Sequence, residues 1–168
     1  LLWLAASRGQ DPLLMLLLIT MVFALVFLHE LGHSLMARRF GIRVLDITFW
    51  PLGGMARMNE IPESSRVEGL IAVAGPAVNL CLAFLTAPVF IWSALAAETG
   101  APTPFLIGLL RVSQAFLFTN LALGVFNLVP AFPMDGGRML RAWLGRRGDW
   151  VRATESAVRI GRVFALLM

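Results

Sequence analysis

The chain of 168 residues is 58% hydrophobic and only 14% charged, whereas globular domains run at roughly half apolar and a quarter charged, so an ordinary soluble domain is excluded and a membrane protein expected. Its net charge of +4 comes with 14 basic residues, every one an arginine, which on so apolar a chain reads as cytoplasmic loops and headgroup contacts rather than nucleic-acid binding. The single cysteine, Cys81, rules out an internal disulfide.

The chain opens on Leu-Leu-Trp without methionine and reads as a fragment of a longer protein, with residues 1–12 and 150–168 as parts of flanking helices. Its apolar residues gather into three blocks, 13–33, 67–97 and 105–129, each close to the ~20 residues that a helix needs to cross a bilayer. The expected fold class is an all-α polytopic membrane protein: one membrane-embedded domain over 1–168 with a three-helix core at 13–145.

Helix one is expected from Leu13 to Phe40, with Pro12 suited to its first turn and Gly41 closing it. Arg38 and Arg39 mark its exit, and Arg43, Arg57 and Arg66 follow, so the positive-inside rule places this end in the cytoplasm. The stretch RVLDITFWPLGGMARM, 43–58, then alternates, with Leu45, Ile47 and Phe49 on one face, and turns at Pro51 to Gly54. That pattern predicts a short membrane-associated β-hairpin, the alternative being a plain interfacial loop. The second block returns outward to a connector near 96–104 that has no basic residue. The third brings the chain back to Arg138, Arg141, Arg146 and Arg147, in agreement with the first basic loop. Segment 150–168 turns apolar at its end and is expected to open another span.

The long apolar run of helix one ends in ALVFLHELGHSLMARRFG, 24–41, which carries the only two histidines. On a helix, His29 and His33 share one face at i and i+4, near enough to chelate one ion, and Glu30 projects beside them as a general base. His29 stands about nine residues, or ~13 Å of helix, from the arginines, at a depth where ionisable groups are costly without function or pairing. The competing reading is a histidine pair hydrogen-bonded inside a helix bundle. Catalytic zinc takes three protein ligands and leaves one position open. Cys81 follows Asn79 by two positions, about 200° around helix two, and Asn79 lies on the small-residue packing stripe of Gly75, Ala83 and Ala87, so Cys81 is expected to point away. Asp135, in NLVPAFPMDGG (127–137), reaches the cytoplasmic side with the histidines and is the third ligand expected; otherwise it would cap a helix starting near Gly137 or pair with Arg138.

HELGH in the first core helix, GPAVN (75–79) in the second and NLVPAFPMDGG at the end of the third resemble the site-2 protease family of intramembrane zinc metalloproteases, over about residues 13–145. The resemblance implies Zn2+ on His29, His33 and Asp135, Glu30 as catalytic base, and Asn127 with Asn79 at the substrate or the developing oxyanion. The departures are of extent: no PDZ-like insertion separates helices one and two, and the residues that follow the core in this sequence leave no room for the soluble regulatory domain that some members carry. The partners implied are single-span membrane-protein substrates and the lipid bilayer, with no nucleic acid; self-association stays open. The implied location is a multi-pass protein of a prokaryotic plasma membrane with its site toward the cytoplasm.

The activity expected is endoproteolysis of transmembrane segments by zinc-activated water with Glu30 as general base, and the hairpin edge would receive an unwound substrate strand. A metal transporter or metal-binding subunit is the rival from another class. Above His29, however, helix one offers only Thr20 as a polar side chain before Asp11, too little for an ion path. A catalytically dead relative is the third reading, and the intact Glu30 weighs against it.

Overall fold

Three helices long and apolar enough to cross a membrane make up most of the computed structural model, which describes residues 12–50, 53–58 and 63–167. They are α1 (Pro12–Arg39), α2 (Ser65–Glu98) and α3 (Pro104–Asn127). Between α1 and α2 lie β1 (Val44–Trp50) and β2 (Gly53–Met58), and after α3 come α4 (Asp135–Leu144) and α5 (Trp150–Leu167). Of the expected flanking helix over 1–12, residues 1–11 lie outside the described residues, as do the turn residues Pro51 and Leu52, and Pro12 opens α1.

Each helix begins and stops where its local chemistry dictates. In α1, Ile42 N–H donates to the Ala37 carbonyl at 3.1 Å and Gly41 N–H to that of Arg38 at 3.0 Å. This Schellman closure needs a left-handed residue after the cap, which Gly41 supplies at φ +76°. It also tucks Ile42 against Ala37 and Ile71, the small core beneath the hairpin. Ser64 caps α2 by accepting the N–H of Val67, and Thr103 caps α3 by accepting that of Leu106, just ahead of Pro104.

The spanning helices are apolar on their outsides as well as at their contacts, as lipid exposure demands: Phe84 is 79% exposed and Leu85 68%. Asn79, Ser93, Ser113 and Asn120 are turned inward. Between α2 and α3, Asn79 meets Asn120 at 2.9 Å and Ser93 meets Ser113 at 3.5 Å, hydrogen bonds that join helices where hydrophobic driving force is absent. Small residues set the α1–α2 spacing, since a Cβ on Gly32 would stand 2.8 Å from the Ala74 carbonyl oxygen.

The hairpin is antiparallel, with Phe49 opposite Gly54 and a bulge between Val44 and Asp46. Arg57 pairs with Asp46 across it and holds that exposed carboxyl below its ordinary range. Where a further span is expected to open, α5 displays Arg152, Glu155, Arg159 and Arg162 while burying Ala153 and Ala157. It is amphipathic because charge recurs along its length, and it is not among the three candidate spans of the described residues.

Candidate metal centre

α1 brings His29 and His33 to one face, one turn apart, against α2 and the start of α4. Gly75 of α2 faces them. A Cβ there would collide with the His33 ring and stand 2.8 Å from His29 Nε2, so only glycine lets α2 approach the imidazoles this closely. Asp135 arrives from the loop after α3. It occupies the first turn of α4, with Met134 as the cap residue, so the helix starts before Gly137 and Asp135 does not cap it.

The three side chains converge. His29 Nε2 lies 3.2 Å and His33 Nε2 3.1 Å from Asp135 Oδ2, and the two Nε2 atoms are 3.1 Å apart. All three residues are buried. The outer nitrogens fix the tautomers: His29 Nδ1–H donates to Asn79 Oδ1 at 2.6 Å and His33 Nδ1–H to the Ile71 carbonyl at 2.7 Å. A neutral imidazole carries one proton, so each Nε2 turns a lone pair inward, and Asp135 Oδ2 adds another acceptor.

Acceptors so placed repel one another unless a cation lies among them. Ligands at ~2.0–2.1 Å in a tetrahedron would be ~3.3 Å apart, close to the observed separations. Two imidazoles, one carboxylate and an open fourth position form a donor set suited to a catalytic divalent zinc. The residues present therefore fit the metal that their spacing predicts.

A cleft of about 180 Å³ opens onto this group, and Glu30, Asn127, Arg138, Gly54 and Met58 line it. Gly54 of β2 lies against Glu30: a Cβ there would be 2.9 Å from Glu30 Cγ. The base candidate is thus walled by the hairpin. Asn127, at the last turn of α3, donates from Nδ2 to the Leu123 carbonyl at 2.9 Å, and a second Nδ2 proton remains.

Asn79, expected beside the substrate, stands elsewhere. It is 0% exposed, its Oδ1 accepts from His29, and its Nδ2 donates to Asn120 Oδ1. It sits behind His29 and is not among the residues lining the cleft. Cys81 is exposed and takes no part.

The sequence reading missed Asn120, which braces Asn79 and donates to the Phe116 carbonyl at 2.8 Å. It also missed Glu68, 1% exposed and paired with Arg141. The signal available for both was a polar group inside or at the edge of an apolar block.

Known proteins resemble this chain in sequence and fold. A family model, Peptidase family M50, matches residues 17–99 and 104–168. The zinc metalloprotease MJ0392 of Methanocaldococcus jannaschii is 38% identical over 151 residues, covering 90% of this chain and 41% of that protein. Rip3 of Mycobacterium tuberculosis is 40% identical over 167 residues, covering 99% of this chain and 38% of that protein. The chain thus spans about two fifths of the length of these relatives. Among solved structures, the site-2 protease from Methanocaldococcus jannaschii superimposes with a TM-score of 0.64 at 34% identity, over 98% of this chain and 69% of that one.

Proposed function

Since the chain belongs to peptidase family M50, the site-2 protease family, we propose that it forms the zinc-binding catalytic core of an endopeptidase that cuts membrane-spanning segments of protein substrates. The observation that carries this reading is the inward turn of His29 Nε2, His33 Nε2 and Asp135 Oδ2, with Glu30 lining the same cleft.

Zinc on those three side chains would acidify a water and polarise a peptide carbonyl. Glu30 is the group placed to receive the water proton and to return it to the leaving amine nitrogen. Asn127 has an amide proton left to donate to the developing oxyanion. A peptide bond in a helix is shielded by its own backbone hydrogen bonds, so the segment must unwind before it is cut. Gly54 and Met58 of β2 border the cleft, and the edge of β2 away from β1 has no strand partner among the described residues. That edge can take an unwound strand by main-chain pairing.

The cleft faces the cytoplasm in this account, because Arg38, Arg39, Arg43 and Arg66 lie on the same side as Arg138, Arg141 and Arg146. The membrane is a prokaryotic plasma membrane, in keeping with the source organisms of the relatives. The direct test is zinc content together with cleavage of a single-span substrate, measured on the detergent-purified intact protein. Stoichiometric zinc with wild-type cleavage abolished in His33→Ala supports the reading, and cleavage without metal would refute it.

A further inference from the structure

Glu68 lies in the first turn of α2, is 1% exposed and plays no part in the chemistry described above. A buried carboxylate needs a partner, and Arg141 of α4 already supplies one in full. Its Nε lies 3.1 Å and 3.2 Å from the two Glu68 oxygens, and its Nη2 contacts Oε1. The Arg141 guanidinium is itself held between the rings of Phe132 and Trp150, at 5.5 Å and 5.6 Å from their centroids.

A second guanidinium nevertheless turns to the same oxygen. Arg138 Nε is 3.9 Å from Glu68 Oε1, while its Nη1 is 3.8 Å from Asp135 Oδ1. Contact pairs between guanidinium and carboxylate close to about 2.7–2.9 Å. Arg138 does neither, and stands between two carboxylates at long range from both. Its position at i+3 from Asp135 on α4 would otherwise let it close directly on that carboxyl. An arginine in contact with Asp135 would draw off the negative charge that a cation at Oδ2 requires.

We propose that Glu68 is a positioning residue that holds Arg138 off Asp135, leaving the Asp135 carboxylate to the metal. The inference rests on the metal-centre reading given above and extends it to α2, whose first turn thereby sets the strength of a ligand on α4. It accounts for two arginines converging on one buried glutamate: Arg141 fixes Glu68, and Glu68 restrains Arg138.

The test is zinc affinity, measured by chelator competition on the intact protein in detergent, with thermal unfolding followed in parallel. Glu68→Gln, which keeps shape and hydrogen bonding but removes the charge, should weaken zinc by the ten- to hundredfold typical of groups that orient a ligand. Adding Arg138→Gln to it should recover most of that loss, because the competitor for Asp135 is gone. Were Glu68→Gln to fail to fold, Glu68→Asp keeps the buried charge but draws it back from both arginines, and its weaker zinc binding should likewise be recovered by Arg138→Gln. Wild-type affinity in Glu68→Gln, or a double variant no tighter than the single, would overturn the proposal. Wild-type protein without zinc would instead overturn the metal centre itself.

Discussion

His29 Nδ1 lies 2.6 Å from Oδ1 of Asn79, a contact between the first and second spanning helices that decides which nitrogen of the histidine faces the cleft. The amide of Asn79 cannot turn, because its Nδ2 is committed to Asn120 and Asn120 to the Phe116 carbonyl. A chain of hydrogen bonds across three helices thus ends on one of the proposed metal ligands.

Asn79→Leu should therefore weaken zinc without removing a ligand. The expected loss is about ten- to hundredfold, the range for groups that orient a ligating histidine, and Asn120→Leu should show part of it. Chelator competition with a zinc indicator measures both. Asn79→Leu binding zinc as tightly as wild type would show that the contact does not govern the tautomer.

Gly75→Ala adds one methyl group where both imidazole rings already stand. The cost falls on the rings, since neither helix backbone can retreat through its small-residue contacts. Zinc content should fall far below one per chain while helix content by circular dichroism stays near wild type. Gly108→Ala is the control, because a Cβ there meets nothing within 4 Å. Full zinc occupancy in Gly75→Ala would mean that α2 sits further from α1 than described.

The membrane orientation is testable by labelling. With Cys81 replaced by Ala, a cysteine introduced in the loop at 99–103 should react with an impermeant thiol reagent applied to intact cells. One introduced at Glu63 should react only after the cells are opened. The opposite pattern would place the cleft outside.

How far the sequence revealed this site depended on distance along the chain. His29, Glu30 and His33 were legible because helical spacing alone puts them together, and Gly41 was legible as a stop because few other residues take φ +76°. Asp135 followed from topology, since the third span must return to the side where the first one ended. Its local structure did not follow. Asp-Gly-Gly reads as loop, as glycine costs a helix about 1 kcal/mol, yet Asp135, Gly136 and Gly137 all lie in α4. The reason is tertiary: a Cβ on Gly136 would collide with the Leu128 and Val129 carbonyls, so the loop leaves room only for glycine. Glu68 and Asn120 were legible only as polar groups in or beside apolar blocks, because Arg141 and Asn79, which give them their roles, lie on other helices. The bulge between Val44 and Asp46 leaves no trace in simple alternation either.

In the proposed mechanism Glu30 moves a proton at a metal centre and does not merely accompany one. Glu30→Gln keeps size and hydrogen bonding but cannot accept a proton. The decisive measurement is zinc content and single-span substrate hydrolysis on one detergent preparation of Glu30→Gln beside wild type. Zinc should be unchanged and turnover lower by about 10²- to 10⁴-fold, the share that general-base catalysis supplies. Cleavage by Glu30→Gln at the wild-type rate would contradict that mechanism, and so would a wild-type protein that cuts nothing but carries zinc across vesicle membranes.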